Sequence, residues 1–218
     1  MTEPVDDILN EYKQLLRKAE EWFCFLKEKY AEKVRCGRGC SRCCHGLFDV
    51  SLPDAYVVAA AFGALPEEIR SKVLRSALQT EERISEHLPG LPQPFLLHAV
   101  PQDRIDEIID CIGNVPCPLL GASDECLIYN HRPMACRLEG FPMIDAQDGL
   151  FGDWCELNFP EGLPPESVRD FCIDYYEAQA IEREATRSLS ERLLRRKLDD
   201  ATVFIPSVIC SSFFTLKK

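Results

Sequence analysis

Apolar residues recur at three- and four-residue steps near the start of the chain, at Leu15, Ala19, Trp22, Leu26 and Tyr30, with Glu and Lys between them. That spacing lays one apolar stripe along a helical surface, so residues Asp6 to Lys33 are predicted to form an amphipathic helix. The run LFDV, residues 47–50, is a short strand candidate. In SLPDAYVV, which overlaps its end, Ser51 is placed to cap a helix, with Pro53 in the first turn and Asp54 three residues after the cap. A further helix is predicted from Pro66 to His87. A shorter one is predicted over QDRIDEIIDCIG, ending near Gly113, and the proline-rich LPGLPQPFLLHAVP connects the two.

From Val115 to Pro160 the periodicity fails. Pro, Gly, Asn and Asp are scattered through this stretch, which predicts a loop-dominated segment with at most a small β-hairpin. Helical spacing returns from Leu163 to Asp200, with Pro165 at the helix start. The apolar tail ATVFIPSVICSSFF is expected to dock on the core. No internal repeat and no linker divides the chain. The expectation is therefore a single, mainly α domain of 218 residues. Helices surround a loop-rich core at about residues 36–155, flanked by N-terminal and C-terminal helices.

A hydrophobic fraction of 46% can fill a core at this length without covalent staples. The formal charge of −11 argues against a broad electrostatic footprint for nucleic acid. The longest compact apolar run, AYVVAAAFGAL, is too short to span a bilayer, and MTEPVDDILNEYKQ lacks the basic start and apolar run of a secretory signal. The expectation is a soluble cytoplasmic protein with no nucleic-acid or membrane partner. In that reducing compartment 12 cysteines point to metal ligation or redox chemistry rather than disulfides, an exported cystine-rich protein being the alternative.

The cysteines sort by their surroundings. Cys36, Cys40, Cys43 and Cys44 lie in the short stretch RCGRGCSRCCHG, and Cys117, Cys126, Cys136 and Cys155 lie in the irregular segment. Cys24, Cys111, Cys172 and Cys210 sit in apolar or helical runs and are expected to be core filler. Cys40 and Cys43, separated by Ser41 and Arg42 and preceded by Gly39, can fold as a knuckle that points both sulfurs at one ion. Adjacent Cys43 and Cys44 would point to opposite sides of an extended backbone, so either the chain bends there or the two serve different centres. In NHRPMACRLEG, Pro133 starts a helix with Cys136 near its positive end, which lowers a thiol pKa, and Arg132 and Arg137 would add to that effect. Pro118 directly after Cys117 occurs also at one ligand of bacterial-type iron-sulfur motifs. His45 and His131 flank the two sets as candidate ligands, although loop histidines are more often solvated.

Taken together, CGRGCSRCC, CPLL, CLIYNHRPMACR and a later cysteine resemble the bacterial cysteine-cluster family described as zinc- or iron-chelating, named for a Cys-x-x-Cys-x-x-Cys-Cys core. Three residues instead of two separate Cys36 from Cys40, a departure from that core, and nothing beside Cys155 in GDWCELN is diagnostic. The resemblance implies metal binding by Cys36, Cys40, Cys43, Cys44, Cys117, Cys126, Cys136 and Cys155. It also matches Tyr129, Arg132, Pro133 and Arg137 to a second signature. The cluster is similar as well to that of flagellin lysine N-methylases, which adds a methyltransferase alternative, although no glycine-rich loop for S-adenosylmethionine follows a strand here.

The leading expectation is a metal-binding protein that holds an iron-sulfur cluster, of the cubane 4Fe-4S type, or zinc. Almost pure thiolate ligation suits either and excludes octahedral Mg or Ca. The Cys-Pro dipeptide, the adjacent cysteines and the shortage of paired zinc knuckles favour iron-sulfur. The alternatives are a redox or electron-transfer protein, a protein-modifying methyltransferase, or an interaction module with a structural metal and an unidentified protein partner. No hydrolase or kinase constellation is present, and Glu67, Glu68, Glu81 and Glu82 are read as solvated helix faces.

Overall fold

The computed structural model describes residues 5–145, 149–151, 154–173 and 175–214. The architecture is mainly α, as the periodicity predicts. Helix α1 (Val5–Lys29) buries Ile8, Leu9, Tyr12, Leu15, Leu16, Phe23 and Leu26 along one stripe. It ends four residues before the predicted Lys33, because the Lys33 carbonyl accepts the Phe159 N–H at 2.9 Å, tying the chain to a distant loop instead of extending the helix.

Strand β1 (Asp49–Ser51) leads directly into α2 (Leu52–Gly63), with Ser51 at the cap and Pro53 in the first turn. Asp54 does not complete a capping box. It is 1% exposed and reaches across to the second cysteine region, where its carboxylate accepts the Met134 N–H at 2.8 Å. Burial, and then repulsion from Glu182, raises its pKa from 3.8 to about 8. A carboxyl raised in the folded state contributes stability that is complete below about pH 4 and is lost as pH rises through about 8. Asp54→Asn keeps an acceptor for Met134 and is expected to flatten the loss of stability between pH 5 and pH 9, read as urea midpoints across that range.

Helices α3 (Glu67–His87) and α4 (Gln102–Ile112) fall where the spacing predicts, and Gly113 ends α4 with a positive φ of 66°. Glu81 corrects one expectation: it faces the interior at 4% exposure and accepts a hydrogen bond from Ser207 Oγ at 2.6 Å. Cys24 and Cys111 correct another, since both are exposed instead of filling the core. Neighbouring helical residues are turned about 100° from each other, so Cys24 beside buried Phe23, and Cys111 beside buried Ile112, miss the packed stripe. Cys210 is half-buried, and the side chain of Cys172 lies outside the described residues.

The predicted long C-terminal helix is divided. A 3-10 turn (Pro165–Phe171) and strand β4 (Cys172–Ile173) precede a shorter α6 (Tyr175–Leu194). Tertiary contacts override the local period here. Trp22 Nε1 donates to the Asp170 carbonyl at 2.9 Å, and the fully buried Phe171 ring packs against Tyr30 and Phe159. The irregular segment holds α5 (Met134–Leu138) and a hairpin of β2 (Met143–Asp145) with β3 (Gly149–Phe151), onto which β4 adds a parallel strand.

The apolar tail docks as expected. Strand β5 (Thr202–Phe204) pairs antiparallel with β1, and α7 (Ile205–Cys210) packs against α2 and α3. Three apolar clusters result. One joins α1, α2, α6 and α7, a second joins α3 and α4, and a third gathers Phe23, Leu26, Val34, Phe141, Phe159 and Phe171. The cysteine loops lie against the first and third. Among the described residues no helix is long and apolar enough to cross a membrane.

Candidate metal centre

The first cysteine loop is built from tight turns. The Cys40 N–H donates to the Gly37 carbonyl at 3.0 Å, around Gly39 with a φ of 89°, a backbone conformation that favours glycine. One turn later the Cys44 N–H donates to the Ser41 carbonyl at 2.9 Å. This second turn answers the question raised by the adjacent pair: the backbone bends between them, and Cys43 and Cys44 face the same space.

Backbone hydrogen bonds then stitch this loop to the second region. The Cys117 N–H donates to the Cys44 carbonyl at 2.8 Å, and the Gly46 N–H donates to the Val115 carbonyl at 2.7 Å. Side chains add to the seam. Ser41 Oγ donates to Asp124 at 3.2 Å, Arg38 donates to the Asn130 side chain at 3.0 Å and lies over the Tyr129 ring, and Arg42 pairs with Glu156. Cys126 sits on a small loop closed by the Gly121 N–H to the Glu125 carbonyl and the Leu127 N–H to the Leu119 carbonyl. Cys136 lies on α5, whose first N–H is held by Asp54.

These elements place Cys40, Cys43, Cys44, Cys117, Cys126 and Cys136 around one cavity of about 70 Å³, whose remaining wall includes Phe48, Leu119, Ile128 and Ile205. Among the described residues no three Cys, His, Asp or Glu side chains are already grouped so as to hold an ion, so the sulfurs surround a space instead of meeting at a point. Every cysteine whose side chain is described is a free thiol. Six soft sulfur donors in a largely apolar wall, with Arg132 and Glu139 as its charged members, fit zinc or an iron-sulfur group and do not fit a hard cation.

Cys36 and Cys155 are not part of that wall but lie beside each other, with Cys36 close enough to Cys40 and Cys43 for their charges to act on it. Both flank Gly140, at which an added Cβ would lie 3.1 Å from Cys36 Sγ and 3.4 Å from Cys155 Cβ. Gly140 also has a φ of 87°. Gly140→Ala is expected to destabilise the protein by about 2 kcal/mol, from backbone strain plus the displaced sulfur, read as a lowered unfolding midpoint. Asn158, which sequence reasoning missed, organises this pair. It is fully buried; its side-chain carbonyl accepts the N–H groups of Arg35 at 2.8 Å and Cys36 at 3.3 Å, and its amide donates to Cys36 Sγ at 3.0 Å and the Gly140 carbonyl at 2.7 Å. A lone Asn two residues before a Pro carries no signal of such a role.

The electrostatics differ from the expectation of lowered thiol pKa values. Burial pushes Cys36 up to about 11 and Cys117 up to about 12, and raises Cys126 and Cys136 as well. Cys43 is raised first by its hydrogen bond with Cys44 and then by burial. Helix α5, with five residues, is too short to offset the burial of Cys136. The two arginines are also turned to another task. Arg137, 4% exposed, pairs with Glu20 and donates to the carbonyls of Arg132 at 2.9 Å and Asn130 at 3.0 Å. Arg132 pairs with Glu20 at 3.3 Å and stacks on Tyr129, while still helping to lower Cys126 against its burial. Together they clamp the turn that enters α5. His45 and His131 are exposed and line no part of the thiol cavity.

No curated protein matches the chain, and no solved structure does. A family model, CxxCxxCC, described as a "putative zinc- or iron-chelating domain", matches residues 35–156, from the residue before Cys36 to the residue after Cys155. With that match taking in more than half of its residues and every thiol gathered at the two loops, the chain belongs to the CxxCxxCC family.

Proposed function

We propose that the protein chelates an iron-sulfur cluster, with Cys40, Cys43, Cys44, Cys117, Cys126 and Cys136 as the pool of ligands and Cys36 with Cys155 as an adjoining pair. The observation that carries this reading is the common cavity: six thiols from two distant segments share one otherwise largely apolar wall. A structural zinc ion closes its shell with four ligands at one point. Six sulfurs around a space instead suit a group with several iron atoms, and the buried surroundings limit solvent access to it.

The residues of this chain do three things at such a site. The turns at Gly39 and Ser41 aim the first-loop sulfurs inward. The backbone bonds from Cys117 to Cys44 and from Gly46 to Val115 hold the two segments in register. Asp54, Arg132 and Arg137 fix the position of α5 and so of Cys136. Because buried thiols must release their protons to become ligands, loading is coupled to proton release. A bound cluster would supply one-electron storage and transfer, so electron transfer is the activity this reading favours. Free thiols and a cluster of this kind call for a reducing compartment, which on this reading is the cytoplasm.

Anaerobic purification followed by iron, zinc and acid-labile sulfide analysis tests the proposal. Brown protein with iron and sulfide in equal amounts is expected. Colourless protein with stoichiometric zinc and no sulfide would assign the same thiols to zinc and end the iron-sulfur reading.

A further inference from the structure

Bordered by Glu20 and Arg137 of the clamp, between α1 and α2, lies a groove of about 490 Å³. Its volume is within the range of small-molecule sites. Ala60 and Ala61 of α2, with Ala64 at its C-cap, give one wall of small side chains beside Tyr56, and Leu16 and Val57 make an apolar floor. Over that floor stand Lys13 and Arg17, one helical turn apart on α1, with Arg137 at the inner end and Glu20 as the one acidic residue in the lining.

Two features separate this groove from ordinary surface. The chain carries a formal charge of −11, yet Lys13, Arg17 and Arg137 line this groove with a single carboxylate among them. That carboxylate is already engaged by Arg132 and Arg137, and among the described residues neither Lys13 nor Arg17 has an ion-pair or hydrogen-bond partner. Unpaired cations beside an open apolar floor are complementary to a molecule with an anionic head and a short hydrocarbon body. Arg17 offers a planar fork of donors suited to an oxyanion, and Lys13 a movable point charge.

We propose that this groove is a binding site for a small amphipathic oxyanion, a carboxylate or phosphate on a short apolar body. The head lies at Lys13 and Arg17 and the body lies along α2. The site shares Arg137 with the clamp that positions Cys136.

Calorimetric titration of the full-length protein at low ionic strength, with hexyl phosphate, hexanoate, hexanol, hexylammonium and inorganic phosphate, tests this. Hexyl phosphate or hexanoate is expected to saturate at one per chain, the tighter of the two identifying the head group, with hexanol at least tenfold weaker and hexylammonium not saturating. Substituting Lys13→Glu and Arg17→Glu together should weaken the anion at least tenfold without lowering the unfolding temperature, both side chains being exposed. Lys18→Glu, on the same helix but outside the groove, should leave binding intact. The proposal is overturned if no anion saturates or if hexanol binds as tightly as the anions. It is overturned equally if inorganic phosphate matches hexyl phosphate or the double variant retains full affinity.

Discussion

Cys136→Ala is expected to cost the protein most of its bound metal and much of its stability, whereas Cys210→Ala retains both. Cys136 comes from the second segment, yet it faces the same cavity as Cys40, Cys43 and Cys44. Removing a direct ligand should exceed the tenfold to hundredfold loss typical when a group supporting a ligand is removed. A loss of more than about 100-fold in metal affinity corresponds to roughly 3 kcal/mol. Metal binding at sites of this kind is folding free energy, so the loss should appear in both metal content and the unfolding midpoint. Cys210, on α7 and away from the cavity, supplies the control for deleting a half-buried thiol. Metal retained at full stoichiometry in the Cys136 variant would remove that residue from the ligand pool.

Asn158→Ala should have the next largest effect, and through a different cause. The side chain satisfies two backbone N–H groups, one backbone carbonyl and the Cys36 sulfur from a fully buried position. Alanine strands the buried partners, each worth about 1–3 kcal/mol when left unpaired. A total near 3 kcal/mol is expected, and for a chain of this length that lowers the unfolding temperature by about 6–12 °C. Asn158→Asp separates the two halves of its role: the carboxylate still accepts from Arg35 and Cys36, but the donors to Cys36 Sγ and Gly140 are gone. The Asp variant should therefore lose stability while keeping the loop entry formed. Calorimetric scans of both variants check this, and unchanged transitions would show that the pair around Gly140 does not depend on Asn158.

Much of this was legible in the residues, and the failures have definite causes. Helices α1, α3 and α4 follow from apolar spacing, because each buries its own stripe, and α2, buried at every residue from Leu52 to Val58, follows from the punctuation at its start. The helix predicted over residues 163–200 failed because Phe171 and Asp170 answer to Tyr30, Phe159 and Trp22, contacts that no local pattern records. Glu81 shares the stripe of Val73, Ala77 and Ile84 on α3, but its charge reads as surface, and only the folded tail brings Ser207 to it.

At the site, the residues that depart from or add least to the family pattern are the ones outside the wall of the common cavity. Cys36, displaced by an extra residue, and Cys155, with no diagnostic neighbours, leave the common cavity and adjoin each other instead. The adjacent pair Cys43 and Cys44 was ambiguous because its resolution depends on a turn, closed by the Cys44 N–H to Ser41 carbonyl bond, which spacing alone does not encode. The ion pairs of the arginines beside Cys136 are hidden from the sequence for a similar reason, although Arg132 still lines the thiol cavity and lowers Cys126 as a nearby cation would. Their partner, Glu20, lies over a hundred residues earlier on α1.

The central claim is that two distant cysteine segments close around one centre. Timed alkylation of the metal-loaded protein under anaerobic conditions, with peptide mapping before and after metal removal, tests it most directly. The account predicts that exposed Cys24 and Cys111 label at once in both states. Cys40, Cys43 and Cys44, together with Cys117, Cys126 and Cys136, should be protected until the metal is removed and then become reactive. Labelling of Cys117, Cys126 and Cys136 at the rate of Cys24 while the metal stays bound would contradict it.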